Sequence, residues 1–250
     1  MLYDNISVED VVDSEAALEF MKEATKLATS SDLEDIGLRL EKKSQIFSDF
    51  LSEDNISNLT EDEFRRLVGS IFSIKRKANR IIKANGFDTL HRDITDLLYG
   101  DGMLEKRFSD FTQSIEKLDG PVRVNFASEL LHFSNPEKYW LWTNWIWDSK
   151  TGTGALPLVL REDVDLVGQT DGEIYTKVGQ SMVLVNAVGH SIGFSDSGKG
   201  LFGTDVFLAC VYAVYMYTVF RVKLSQEFNR ILPELSELTQ RVLGVYKLTG

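Results

Sequence analysis

Segments with an N-terminal capping residue and apolar side chains at helical spacing recur along the first half of the chain. Alternating polar and apolar stretches are nearly absent, which restricts the chain to helix-on-helix packing. The clearest start is Thr60-Glu61-Asp62-Glu63, a capping box ahead of Phe64, Leu67, Val68, Ile71 and Phe72. Upstream, Ala17, Phe20, Met21, Ala24, Leu27 and Ala28 form one stripe with Ser14 available as N-cap. A second stripe of Leu33, Ile36, Leu40, Ile46, Phe47 and Phe50 follows a Ser31/Glu34 capping box. Further helices are expected over Thr89–Tyr99, Leu104–Leu118 and Val124–Phe133, separated by the turn signals Asn85-Gly86, Gly100-Asp101-Gly102 and Asp119-Gly120-Pro121.

Past Asp148 the pattern changes. Residues 149–172 read as one long irregular loop, flexible at Ser149 to Gly154 and aperiodic from Arg161 to Gly172. Ile174, Val178, Met182 and Val185 then return at helical intervals, although Val183-Leu184-Val185 also fits a short strand. A Gly/Ser-rich loop over Gly189–Gly203 leads into an apolar helix from Thr204, and Pro233 opens a last helix ending at Gly244. The expected fold is mainly α, a multi-helix globular arrangement with more than half its residues helical. The expected divisions are an N-terminal helical segment at 1–59, a helical core at 60–148, and a loop with C-terminal helices at 149–250 that pack on the same core.

The apolar run Val206–Phe220 is 15 residues long and holds three tyrosines. That is short of the roughly 20 residues needed to span a bilayer, so it reads as a buried helix and no membrane insertion is expected. The start Met1-Leu2-Tyr3-Asp4 lacks the basic and apolar regions of a secretory signal. With 1 cysteine in 250 residues no internal disulfide can form, and the cytoplasm is the default compartment.

A net charge of -11, from 27 Lys+Arg against 38 Asp+Glu, repels phosphate at long range and disfavours nonspecific coating of nucleic acid. A local basic face can still bind, because screening limits that repulsion to about 8 Å at physiological salt. Lys75, Arg76, Lys77, Arg80 and Lys83 supply such a face, read as some two and a half turns of one helix. All 4 tryptophans fall in Tyr139–Trp147. Trp140, Trp142, Trp145 and Trp147 together are a candidate stacking or ligand platform for a partner, nucleobase or ligand, with Trp142 and Trp145 sharing a helical face as core anchors and Trp140 and Trp147 pointing elsewhere as partly exposed rings.

Two His/acid pairs, Asp88 with His91 and Glu129 with His132, have the i, i+3 spacing that supplies metal ligands in helical bundles. Within Leu130-Leu131-His132-Phe133 a hydrogen-bonded core histidine is the commoner outcome, and neither a metal nor any other cofactor is expected. Gly193 to Gly200 matches a phosphate-binding loop except at its last position, where Gly200 replaces the Ser or Thr that would ligate magnesium. Only residues 201–250 follow, too few for the parallel sheet such a loop requires, so it reads as a flexible connection.

The stretch Leu118-Asp119-Gly120-Pro121-Val122-Arg123-Val124-Asn125-Phe126-Ala127-Ser128-Glu129-Leu130-Leu131-His132-Phe133, continuing through Ser134-Asn135-Pro136-Glu137-Lys138-Tyr139, resembles helical modules related to the helix-hairpin-helix DNA glycosylases. Similar modules accompany prokaryotic restriction and defence proteins. The resemblance covers mainly residues 60–148, including Leu97-Leu98-Tyr99-Gly100 and Leu104-Glu105-Lys106-Arg107-Phe108, and lies in apolar and turn positions. It implies a hairpin at Gly120 whose backbone N–H groups grip nucleic-acid phosphates. Val122 and Val124 stand where that family has a second glycine and, in some members, a catalytic lysine. Thr143 holds the place of its catalytic aspartate, and Asp148 is five residues further on. The resemblance therefore implies a fold more than an activity. The leading reading is a non-enzymatic helical recognition or scaffold module for a protein or nucleic-acid partner. The alternatives are a glycosylase-type enzyme that flips a base into a pocket lined by the tryptophans, and a metal-dependent bundle.

Overall fold

The computed structural model describes residues 11–191, 200–224 and 233–246. Among the described residues the protein has ten α-helices: α1 (Ser14–Leu27), α2 (Ser30–Leu51), α3 (Glu61–Gly69), α4 (Ala78–Asn85), α5 (Phe87–Tyr99), α6 (Leu104–Ser114), α7 (Gly120–Ser134), α8 (Asp171–Ser191), α9 (Gly203–Leu224) and α10 (Leu235–Val242). Short 3-10 turns occupy Ile56–Asn58 and Leu156–Leu158. The described residues contain no β-strand, only isolated bridges between Val12 and Leu160 and between Asp148 and Thr153.

Local chemistry explains most helix ends. Thr60 and Glu63 form the capping box of α3, with the side chain of each bonded to the backbone N–H of the other. Two other caps differ from the sequence expectation. Asp13 rather than Ser14 caps α1, its Oδ1 accepting from Ala16 N–H at 3.0 Å. Thr29 and Asp32 rather than Ser31 and Glu34 close the start of α2, with Thr29 N–H donating to Asp32 Oδ2 at 2.9 Å and Asp32 N–H to Thr29 Oγ1 at 3.2 Å. In both cases an equally good oxygen lies one or two positions earlier, and packing of the apolar stripe sets the register. Pro121 sits in the first turn of α7, where its missing N–H costs nothing. Helix α6 stops at Ser114, short of the expected Leu118. The segment 174–187 is helical throughout, and the last helix opens at Leu235, two residues past Pro233. Gly244, with φ of 75°, then ends α10 while Val245 N–H reaches back to the Gln240 carbonyl at 2.9 Å.

The chain divides into two compact units, each assembled from separated stretches of sequence. One holds the described parts of 1–40, 145–164 and 180–249, and the other holds 41–144 and 165–179. These boundaries differ from the divisions near 59 and 148 suggested by sequence texture, because α2 and α8 each pass from one unit into the other. In the first unit α1, α9 and α10 pack together. The small side chains of Ala17 and Ala24 on α1, and of Ala28 just past its end, are buried. Every residue from Thr204 to Val211 is buried, so the first two turns of α9 are enclosed on all sides and that part of the apolar run is core, while Tyr215, Met216 and Tyr217 are half-buried and Thr218 is exposed. No described helix is long and apolar enough to cross a membrane.

In the second unit α3 to α7 pack successively, and α7 is the enclosed helix. Stacked rings of Phe108 and Tyr175, 4.3 Å apart, join α6 to the first turns of α8. Gly172 sits so close to the Glu105 carbonyl that a Cβ would lie 1.9 Å from that oxygen, and Gly172 N–H donates to Ser109 Oγ at 3.0 Å. No side chain fits there.

Burial pushes the thiol of Cys210, on α9, up from its ordinary 9.0 to about 12, with a weak opposing effect from Thr239. Above pH 9 the unfolded chain loses this proton while the folded chain keeps it, so stability falls as pH rises from 9 toward 12. Replacing Cys210 by Ala is expected to flatten that part of the pH–stability curve measured by thermal melts. A thiol reagent is expected to label the native protein only when denaturant is added, and rapid native labelling would contradict the burial.

Candidate functional site

The basic run lies in the second unit, but its geometry differs from the expected helical face. Only Arg80 and Lys83 are inside α4. Lys75 and Arg76 occupy a chain of turns over residues 72–77, and Lys77 is the residue before the first turn of α4. Ile71 and Ile74, both fully buried, pin this segment, and Ile74 N–H to Ile71 O (3.1 Å) and Lys77 N–H to Ile74 O (2.7 Å) close it. The alternation of buried Ile and outward cations follows from those anchors. Lys75, Arg76, Arg80 and Lys83 are exposed and Lys77 is half-buried.

Among the described residues, none of these five cations forms an ion pair. The two arginines just before them behave differently. Arg65 pairs with Glu61, and its guanidinium also reaches Asn79, while Arg66 lies 3.9 Å from Glu63 and over the Phe50 ring. Both are held by acids of the preceding turn. From Phe64 to Phe87 the chain contains no Asp or Glu at all, so the five later cations have no acid within a turn on either side.

Asn85 ties this region to the α6–α7 hairpin. Its Oδ1 accepts from Glu116 N–H at 2.8 Å, and its Nδ2 donates to Ile81 O at 2.9 Å and Glu116 O at 3.4 Å. The end of α4 bearing Lys83 is thereby clipped to the loop bearing Lys117 and Gly120. Lys117 is exposed and has a φ of 62°, the left-handed conformation that turns the chain between α6 and α7. The structure thus places Gly120 close along the chain to a bond that fixes the basic segment. Spacing could not reveal this, since Asn85 and Glu116 are 31 positions apart.

The residues considered as metal ligands have structural partners. Glu129 accepts from Lys43 Nζ at 2.6 Å, and the Lys43 side chain is fully buried. The same ammonium lies 4.1 Å from the centre of the Phe133 ring. His132 Nδ1–H donates to Tyr139 O at 2.8 Å, and His91 Nε2–H donates to Ile56 O at 2.6 Å. Asp88 lies in the first turn of α5, where an acid suits the helix dipole. No group of three or more His, Cys, Asp or Glu side chains able to hold a metal ion occurs among the described residues. Residues 193–199 of the phosphate-loop-like segment lie outside the described residues.

The tryptophan segment is not a helix, which corrects the expected sharing of a helical face by Trp142 and Trp145. Residues 139–143 lack regular secondary structure and Asn144 begins a turn, and side chains of α7 bond this backbone. Besides the His132 contact, Trp142 N–H donates to Ser128 Oγ at 2.6 Å and Asn144 N–H to Asn125 Oδ1 at 3.3 Å. Asn125, Ser128 and His132 lie on one face of α7. Trp142 is buried and stacks on Phe108 at 5.9 Å, while Trp140 is half-buried with its carbonyl accepting from Tyr175 OH. In the other unit, Trp147 is buried at 8% exposure, which removes its ring from the surface, and half-buried Trp145 faces Tyr212 at 6.2 Å. Thr143 is buried, and Asp148 accepts from Lys150 N–H in a tight turn.

No family model, curated protein or solved structure matches the chain.

Lys43 was missed by the sequence reading because it is a lysine at a core position. It continues the buried series Leu33, Ile36, Leu40 toward Phe47 at intervals of three and four residues, and that spacing was the available signal. Removing one member of this ion pair leaves a buried charge, which costs about 3–5 kcal/mol. Lys43→Met alone or Glu129→Leu alone is therefore expected to lower stability by that amount in urea denaturation. The double replacement is expected to recover most of the loss, since an apolar pair of similar volume is often neutral or better.

Proposed function

We propose that the protein is a helical recognition module that binds the phosphate backbone of nucleic acid through Lys75, Arg76, Lys77, Arg80 and Lys83. The observation that carries this reading is that, among the described residues, none of the five has an acidic partner, in a chain with 38 acidic residues. Surface cations in an acidic protein are readily neutralised by neighbouring carboxylates, as Arg65 and Arg66 are. Leaving a group of cations unneutralised costs self-repulsion, and a polyanion offsets that cost.

The α6–α7 pair, turned at Lys117 and entering α7 at Gly120, supports a helix-hairpin-helix character for this unit, and its loop is joined to the end of α4 through Asn85 and Glu116. Base excision is not part of the proposal. Val122, Val124 and Thr143 replace the groups that such chemistry needs, and Thr143 is enclosed.

Labelled nucleic acid titrated across a salt series tests the reading. Binding is expected to weaken linearly in log–log form as salt rises, with each phosphate contact contributing about one unit of slope. Charge reversal by R76E together with R80E is expected to flatten the slope by about two units and leave the thermal melt unchanged, since both side chains are exposed. An absence of binding by the parent protein at physiological salt removes the proposal.

A further inference from the structure

Phe72 is 58% exposed, the most exposed aromatic ring among the described residues, and it stands within the acid-free stretch between Phe64 and Phe87. It belongs to the turn segment of Lys75 and Arg76, and Lys75 Nζ lies 4.5 Å from its ring centre. A lone exposed apolar side chain needs no explanation. An exposed ring with an ammonium over it, and with no acid paired to that ammonium among the described residues, is a different arrangement, because it offers both groups that an unpaired nucleotide presents surfaces to: a ring for the base and a charge for the phosphate.

We infer that the basic surface takes single-stranded nucleic acid, with Phe72 stacking on an unpaired base and Lys75 and Arg76 holding the adjoining phosphates. This deepens the proposed function and rests on it. The backbone supports the role. Buried Ile71 and Ile74 flank Phe72 on either side and hold the turn, so the ring is presented from a fixed base rather than from a frayed end. Lys75 is poised for a change of partner. An ammonium over an exposed ring is weakly held, so an incoming base can take the ring face while Lys75, which has no carboxylate partner among the described residues, moves to the phosphate. A duplex offers this ring nothing, because its base faces are already stacked within the helix. The tryptophans first considered for stacking are less exposed than Phe72: Trp147 and Trp142 are buried, and Trp140 and Trp145 are half-buried.

The test compares a fluorescein-labelled thymidine strand of about 16 nucleotides, within the span of single-strand sites, with a duplex of the same length at equal salt. The parent, F72A, F72Y and R76E/R80E proteins are each titrated. The parent is expected to bind the single strand more tightly than the duplex. F72A is expected to lose about 5- to 150-fold in Kd for the single strand, the range of one base–aromatic stack, with its salt slope unchanged. F72Y is expected to retain the affinity, and equal thermal melts verify that each variant is folded. Equal or tighter duplex binding, or an unchanged Kd for F72A, overturns the single-strand inference. If R76E/R80E still weakens binding in that case, the wider nucleic-acid reading survives. Vesicles of equal parts phosphatidylcholine and phosphatidylserine form the last arm. Phe72-dependent capture by these vesicles, without nucleic-acid binding, overturns both readings and assigns the surface to anionic lipid.

Discussion

A polar side chain enclosed within a packed helix costs stability unless it finds a partner, and every residue of α7 from Phe126 to Phe133 is buried. Ser128, Glu129 and His132 lie within that span, and each bonds a group from elsewhere in the same unit. An unsatisfied buried polar group costs about 1–3 kcal/mol, and a buried charge costs more. These pairings are therefore conditions for α7 to occupy the centre at all. Glu129 requires Lys43 from α2, and Ser128 and His132 require a non-helical backbone lying alongside.

The irregular segment at 139–144 follows from the same constraint. A non-helical backbone packed against a core must place its N–H and carbonyl groups somewhere, and α7 answers with Asn125, Ser128 and His132 on one face. Trp142 can then stack on Phe108 without leaving its own N–H exposed to an apolar surface. Residues whose types suggested metal or base chemistry are accounted for by architecture: the histidine and the glutamate most suggestive of ligands hold the fold together.

The basic segment is built on different terms. Its apolar anchors, Ile71 and Ile74, carry the packing, and four of its five cations are exposed, so charge and packing reside in different side chains. Asn85 fixes the end of α4 to the α6–α7 hairpin through paired bonds to Glu116. A surface of this kind can change its charge without disturbing the core beneath it, which suits a recognition element more than a catalytic one.

What was legible in the sequence was what depends on residues within about one helical turn. The Thr60–Glu63 box, the break at Gly86, the proline in the first turn of α7 and the enclosed character of the Val206 run are all local, and all are present. Caps at Asp13 and Thr29 were displaced by a residue or two because competing oxygens stand side by side and burial of the stripe chooses between them. The same dependence turned Lys75 to Lys77 out of a helix, since a basic run carries no signal for where its flanking isoleucines will be anchored. The helical class, the helix starts and the absence of any span for a bilayer among the described residues were thus set by neighbours along the chain. The pairing of Lys43 with Glu129, 86 positions apart, and the exposure of Phe72 beside unneutralised cations were decided only when the helices packed, because which polar groups share an interior and which rings are left outside depend on partners that no local pattern specifies.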